Sequence, residues 1–123
     1  MKVQGLDRTL ADKVFAICDY YMQNRVKKHS RHIYDIYKLL QIVPQTKEFK
    51  VLVEEVRGVR AMTNICPSAQ PDVNVPEMLN FLIENDVYKE DFENITVRIL
   101  EEDVTYDVAI EAVKKIAASG MFE

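Results

Sequence analysis

Along almost the whole of this chain, apolar side chains recur three and four residues apart, and nowhere do they alternate strictly with polar ones over the length of a strand. That is the period of a helix with one buried face. Only three glycines, Gly5, Gly58 and Gly120, interrupt the pattern. The expected fold is all-α, a compact bundle of about six helices, mostly antiparallel, forming a single helical domain over residues 1–123.

Local signals place the helices. Thr9 as N-cap, with Asp12 three residues on, predicts a first helix over about 10–26 whose buried stripe is Leu10, Val14, Ile17, Cys18 and Tyr21. Ser30 is the expected N-cap of a second, about 31–42, with Ile33, Ile36, Leu40 and Val43 inward and Pro44 as its stop. Thr46 predicts a third to about Met62, burying Phe49, Leu52, Val53, Val56 and Val59. The stretch 63–73 holds Pro67 and Pro71 without periodicity and reads as a long loop. Asn74 with Glu77 opens a fourth helix that ends near Asn85 and carries Met78, Leu79, Phe81, Leu82 and Ile83. A fifth spans about 89–100, and a sixth, capped by Thr105, runs to Ser119 and stops at Gly120. Residues 1–6, with Val3 and Leu6, read as the end of a strand or linker belonging to something else.

A chain of 123 residues that is 48% apolar can bury one core. No apolar run approaches the roughly 18 residues that span a bilayer, and the start lacks the apolar stretch of a signal peptide. No membrane association and a cytoplasmic location are therefore expected. Cys18 and Cys66 have neither disulfide-framework nor metal-ligand spacing and read as packing thiols. The net charge of −4 divides unevenly: residues 1–61 carry 12 Lys/Arg against 7 Asp/Glu, or +5, and residues 62–123 carry 4 against 13, or −9. A polyanion such as a nucleotide or RNA should meet the first half. Two ordinary solvated faces that attract one another would give the same asymmetry.

Chemistry concentrates in the second helix. Arg31, Asp35 and Lys38 share one helical face, and spacing alone supports intrahelical ion pairs worth a few tenths of a kcal/mol. Against that stand the flat walls offered by Tyr34 and Tyr37, and a cation at a helix start, where it opposes the dipole and is suited to meet an anion. Lys13, placed in the first turn of its own helix, invites the same argument. If the two helices run antiparallel, their starts lie at opposite ends, so a Lys13–Asp35 contact requires a steep crossing or an offset.

Four motifs carry a family resemblance. Arg8-Thr9-x-x-x-Lys13, Asp19-Tyr20-Tyr21, Arg31-His32-x-Tyr34-Asp35-x-Tyr37-x-Leu39 and Tyr88-x-x-Asp91-Phe92-x-x-Ile95-Thr96 together resemble the C-terminal half of the AbiEii/AbiGii nucleotidyltransferase-like toxins, over nearly the whole chain from Leu6. The resemblance implies that Lys13 lies against nucleotide phosphates, that Asp35 stands at a catalytic centre, and that Arg31 and Arg8 are phosphate-binding neighbours. Mg²⁺ and a nucleoside triphosphate are implied for an intact member. This chain has no Gly-Ser or Gly-Gly turn leading into an acidic pair, so no cofactor, metal site or complete activity is expected for it alone. The implied partners are an antitoxin protein, or a catalytic half on another polypeptide, with nucleotide or RNA as ligand. One alternative is a stand-alone protein-binding module, marked by an apolar surface near Val3 and Leu6. Another is a ribonuclease of the HEPN type, which needs an arginine and a histidine with four to six residues between them on one helix. Arg25 and His32 have that spacing, with the Ser30 cap between them.

Overall fold

The computed structural model describes residues 5–62, 67–70, 73–100 and 102–122, and these form six helices with no strand among them. The elements are α1 (Leu6–Met22), α2 (Arg31–Leu40), α3 (Lys47–Ala61), a 3₁₀ turn (Pro67–Ala69), α4 (Val75–Glu84), α5 and α6 (Tyr106–Ala118). Helix α5 is composite: Lys89–Asp91 and Val97–Ile99 are α-helical and flank a π-helical turn at Phe92–Thr96. No helix of the described residues is long and apolar enough to cross a membrane.

Helix α1 is the central element, with Leu10, Ala11, Val14, Phe15, Ile17 and Cys18 buried against α2, α3, α4 and the 3₁₀ turn. Helices α2 and α4 also pack on α6, which buries Ala109, Ile110, Ala112, Val113 and Ile116. Beyond α6, the Phe122 ring lies edge-on to Phe15 and Phe49, at 5.5 and 6.1 Å, and ties α1, α3 and the end of the chain into one core.

Three of the expected caps form: Thr46 accepts from Phe49 N–H, Asn74 from Glu77 N–H and Thr105 from Val108 N–H. Thr9 does not cap. Gly5, at φ +88°, supplies a left-handed start one turn earlier, and its carbonyl accepts both Thr9 N–H and Thr9 Oγ1, at 2.8 and 2.7 Å. Leu6 therefore opens a helix, while Val3 lies outside the described residues. The helix also ends sooner than expected. Asn24 takes φ +57°, its N–H bonds to Tyr21 O and Arg25 N–H reaches Tyr20 O, a Schellman closure that stops α1 at Met22. Val59, read as inward, is 51% exposed, and Phe81 of α4, 44% exposed, lies against Tyr21 at the surface. Of the loop at 63–73, residues 67–70 and 73 are described, with Ser68 and Ala69 buried. Cys66 lies outside the described residues.

Ser30 stands at the N-cap of α2 without its side chain capping it. Its hydroxyl pairs instead with Thr96 Oγ1 at 2.7 Å in a buried position. Asp91 of α5 takes two amides that precede the helix: Oδ1 accepts Lys28 N–H at 2.7 Å and Oδ2 accepts Ser30 N–H at 3.1 Å. Burial pushes the Asp91 carboxyl up, but hydrogen bonds from Ser30 and Lys28 outweigh it and hold the group below its ordinary value. Tyr88 completes the clamp by donating from its hydroxyl to Ile17 O. The inward side chains of α5 thus fasten the α1–α2 reversal to the core.

Replacing Asp91 with alanine leaves two amide donors without their carboxylate. Urea unfolding should show a loss of about 1–3 kcal/mol, and amide exchange at Lys28 and Ser30 should accelerate ahead of the core.

Candidate functional site

Because α1 begins at Leu6, Lys13 lies in the middle of its helix and not in its first turn. Asp35 lies in the middle of α2. The two meet there, with no need for the helix starts to coincide: Lys13 Nζ is 3.1 Å from Asp35 Oδ2 and 3.2 Å from His32 Nδ1. The second carboxylate–imidazole distance, His32 Nδ1 to Asp35 Oδ2, is 3.9 Å.

An ammonium only donates, so His32 Nδ1 is the acceptor and the ring proton sits on Nε2. The imidazole is held neutral. Burial and the Lys13 charge, helped by His29 and Arg31, outweigh the pull of Asp35 and lower the His32 pKa to about 4. Asp35 and His32 thus engage two of the three Lys13 N–H donors, on a lysine side chain that is 28% exposed. The third donor is free to meet an anion arriving from solvent.

The intrahelical pairing read from spacing does not form. Asp35 turns to Lys13, and Lys38 bonds Glu102 at 3.1 Å, where the Tyr34 hydroxyl also donates at 2.8 Å. Those two hydrogen bonds hold the Glu102 carboxyl below its ordinary range and fasten α2 to the segment entering α6. Arg31 is exposed, one turn before Asp35, and makes no ion pair among the described residues. Arg8 is also exposed, and five residues of helix rotate it by about 140° from Lys13, so the structure does not bring it to the pair. Tyr37 lines a groove with Leu40, Val43, Pro44 and Val108 between α2 and α6.

A stack of rings adjoins the lysine. Tyr20 and His29 lie face to face, with centroids 3.7 Å apart and planes at 7°, and His32 is nearly parallel to both at 5.5 and 6.1 Å. Arg25 does not share a helix with His32. Arg25 lies in the 23–30 connection, where its backbone closes the end of α1, and His32 lies in α2, so the single-helix arrangement of the ribonuclease alternative is not formed.

A second ion pair was not visible in the spacing. Arg60 of α3 reaches Asp19 Oδ2 at 2.9 Å and Asp12 Oδ1 at 3.1 Å, and lies over the Phe15 ring. Asp19 is 5% exposed and also accepts Ser68 N–H and the Ser68 hydroxyl. This buried network fastens α3 and the 3₁₀ turn to α1. The neighbouring Cys18 thiol is buried, and burial, then Asp19, pushes its pKa up, which keeps it an unreactive packing group. Only a pairing across 41 residues of sequence makes the role of Arg60 evident.

The described residues contain no group of three His, Cys, Asp or Glu side chains that could hold a metal ion. Asp35 itself faces an ammonium, which opposes a divalent cation at the same oxygen. The implied Mg²⁺ does not fit these residues.

An all-helical domain that presents a partly exposed lysine beside a carboxylate is the class that fold and site define. Over residues 1–117 the chain matches the family model described as nucleotidyl transferase AbiEii toxin, type IV TA system, and it belongs to that family. No curated protein and no solved structure matches it. Membership in a type IV toxin–antitoxin family implies an antitoxin as partner.

The state of His32 sets a pH dependence. Its folded pKa lies below the ordinary 6.5, so the folded chain binds fewer protons than the unfolded one between the two values. Its contribution to stability is present above pH 6.5 and is lost as the pH falls toward about 4. Unfolding measured across that window should fall with pH in the parent chain and fall less steeply in His32→Gln; identical slopes would contradict the assignment.

Proposed function

We propose that this chain forms the helical wall of a nucleotidyltransferase-like toxin, with Lys13 meeting the phosphates of a nucleoside triphosphate. The observation that carries this reading is the Lys13 ammonium, about a quarter exposed and held between Asp35 and His32, which engage two of its three donors. Phosphoryl transfer depends mainly on positioning and on neutralising charge, both of which an oriented ammonium provides. Arg31, exposed at the start of the same helix as Asp35, adds positive charge at the mouth of the site, and Arg8 is assigned to a more distant part of the phosphate path.

In this reading Asp35 first fixes the direction of Lys13. When phosphate oxygens take over the ammonium, the released carboxylate can orient or deprotonate the hydroxyl of an acceptor. The metal-binding acidic pair and its Gly-Ser turn are then supplied by another segment or another polypeptide, and residues 1–123 serve as one accessory helical domain in the cytoplasm. An antitoxin would silence the system by covering this wall or by separating it from the catalytic half.

Calorimetric titration with ATP, GTP, CTP and UTP tests the reading. Lys13→Ala should weaken binding at least tenfold, whereas Asp35→Asn should leave it unchanged or tighter, because the competing carboxylate is gone. Affinity that ignores the lysine would rule the site out.

A further inference from the structure

We infer that the α1–α2 connection, residues 23–30, with Tyr20 and Arg31 at its ends, is a contact surface for single-stranded nucleic acid, and that His29 is its base-stacking platform. This deepens the nucleotide reading, since the strand would lead toward Lys13.

The first observation is a set of uncommitted cations. Arg25, Lys27, Lys28 and Arg31 are all exposed, and none makes an ion pair among the described residues. Elsewhere, Lys13, Lys38, Arg60 and Lys114 are paired with carboxylates and Arg57 donates to the carbonyls of Ala69, Gln70 and Val73, while the other described cations without an ion pair, Arg8, Lys47, Lys50, Lys89, Arg98 and Lys115, are spread along the chain. Four unpaired cations within seven positions form an electrostatic footprint for a polyanion.

The second is how the backbone of this connection is held. Asp91 takes the amides of Lys28 and Ser30, and Thr96 takes the Ser30 hydroxyl, so the fold fixes the loop without using its basic side chains. Lys28 sits at φ +72°, a conformation that glycine or asparagine adopts more easily than lysine. Its charge is therefore present despite the backbone, not because of it.

The third is the ring geometry. A ring stacked on the far side of Tyr20 from His29 would lie roughly 7 Å from His29, at twice the usual stacking distance of about 3.5 Å. His32 is 6.1 Å away, so it lies to the side of the pair and not across it. Tyr20 backs one face of His29, and His29 is partly exposed within a basic loop. A flat, backed ring flanked by cations suits an unpaired base between phosphates; an acidic peptide would need only the cations. Glu90 and Asp91 line a groove with Val26 and Lys27, which a polyanion would avoid.

Fluorescence anisotropy tests this with end-labelled 12-nucleotide single strands of mixed-sequence RNA and DNA, and the matching duplexes, over a salt series. Binding of either single strand supports the surface, and the tighter of the two identifies the strand chemistry. Arg25→Ala/Lys27→Ala should reduce the slope of log affinity against log salt by about 1.4, at roughly 0.7 per lost contact. His29→Ala should weaken binding at least fivefold and His29→Phe should restore it, while nucleoside triphosphate affinity stays within twofold for all three variants. Lys13→Ala affects the triphosphate titration first, so failure of one reading is distinguishable from failure of the other. The inference is overturned if the double variant binds the strands as well as the parent, if duplexes bind as tightly as single strands, or if an oligoglutamate of equal length competes equally well.

Discussion

The arrangement of this molecule depends on one long-range clamp. Between α1 and α2 the chain must reverse, and that reversal contains two non-glycine residues in left-handed conformation, Asn24 and Lys28. Local bonds shape its two turns, Arg25 N–H on Tyr20 O and His29 N–H on Val26 O, but do not tie it to the far helices. What fixes it comes from α5: the Asp91 carboxylate on two loop amides, the Thr96 hydroxyl on Ser30, and the Tyr88 hydroxyl on the carbonyl of Ile17. Once those bonds are made, the register of α2 on α1 is set. The middle of one helix then faces the middle of the other, which places Asp35 and His32 against Lys13. The motif of Tyr88, Asp91, Phe92 and Thr96 accordingly positions the site from behind and takes no part in its surface.

Two ion pairs on α1 differ sharply in burial. The Asp19 carboxylate is almost wholly enclosed, with Arg60, the Ser68 amide and the Ser68 hydroxyl all spent on it. Removing one partner from such an arrangement strands a buried charge, and the cost is large. Lys13 and Asp35 stay about a quarter exposed, and the pair keeps an unused donor. Water can solvate either partner if the other is lost, so the pair contributes little to folding. Charge held at an opening without being needed for stability is what an anion-binding wall requires. The same contrast extends to the 23–30 connection, where the backbone is tied down and the basic side chains are left over.

Much of the fold was legible in the sequence because helices are written locally. The apolar spacing gave six helices, and Thr46, Asn74 and Thr105 cap as their positions suggest, since each bond spans only three residues. Thr9 and Ser30 have the same signature and cap nothing. In one case a glycine four residues upstream offered an earlier start; in the other the Thr96 hydroxyl, 66 residues away, engaged the serine hydroxyl that would have capped. The end of α1 was readable in principle from Asn24, a residue that tolerates the left-handed closure. The site was only half legible. Spacing put Asp35 in a pair with Arg31 or Lys38, and the family motifs alone joined it to Lys13. His32 as the second acceptor, and Arg60 as the buried partner of Asp19, depend on contacts between helices for which a single sequence has no period.

The account holds that Lys13 and Asp35 are kept together for what they face, whereas Arg60 and Asp19 are kept together for what they hold. A double-mutant cycle on unfolding free energy measures that difference. With Lys13→Met and Asp35→Asn, each single change should cost less than about 1 kcal/mol and the coupling should be no larger. With Arg60→Met and Asp19→Asn, the single changes should cost about 3 kcal/mol or more. A Lys13–Asp35 pair as costly to break as the buried one would make it a structural brace and would contradict the account.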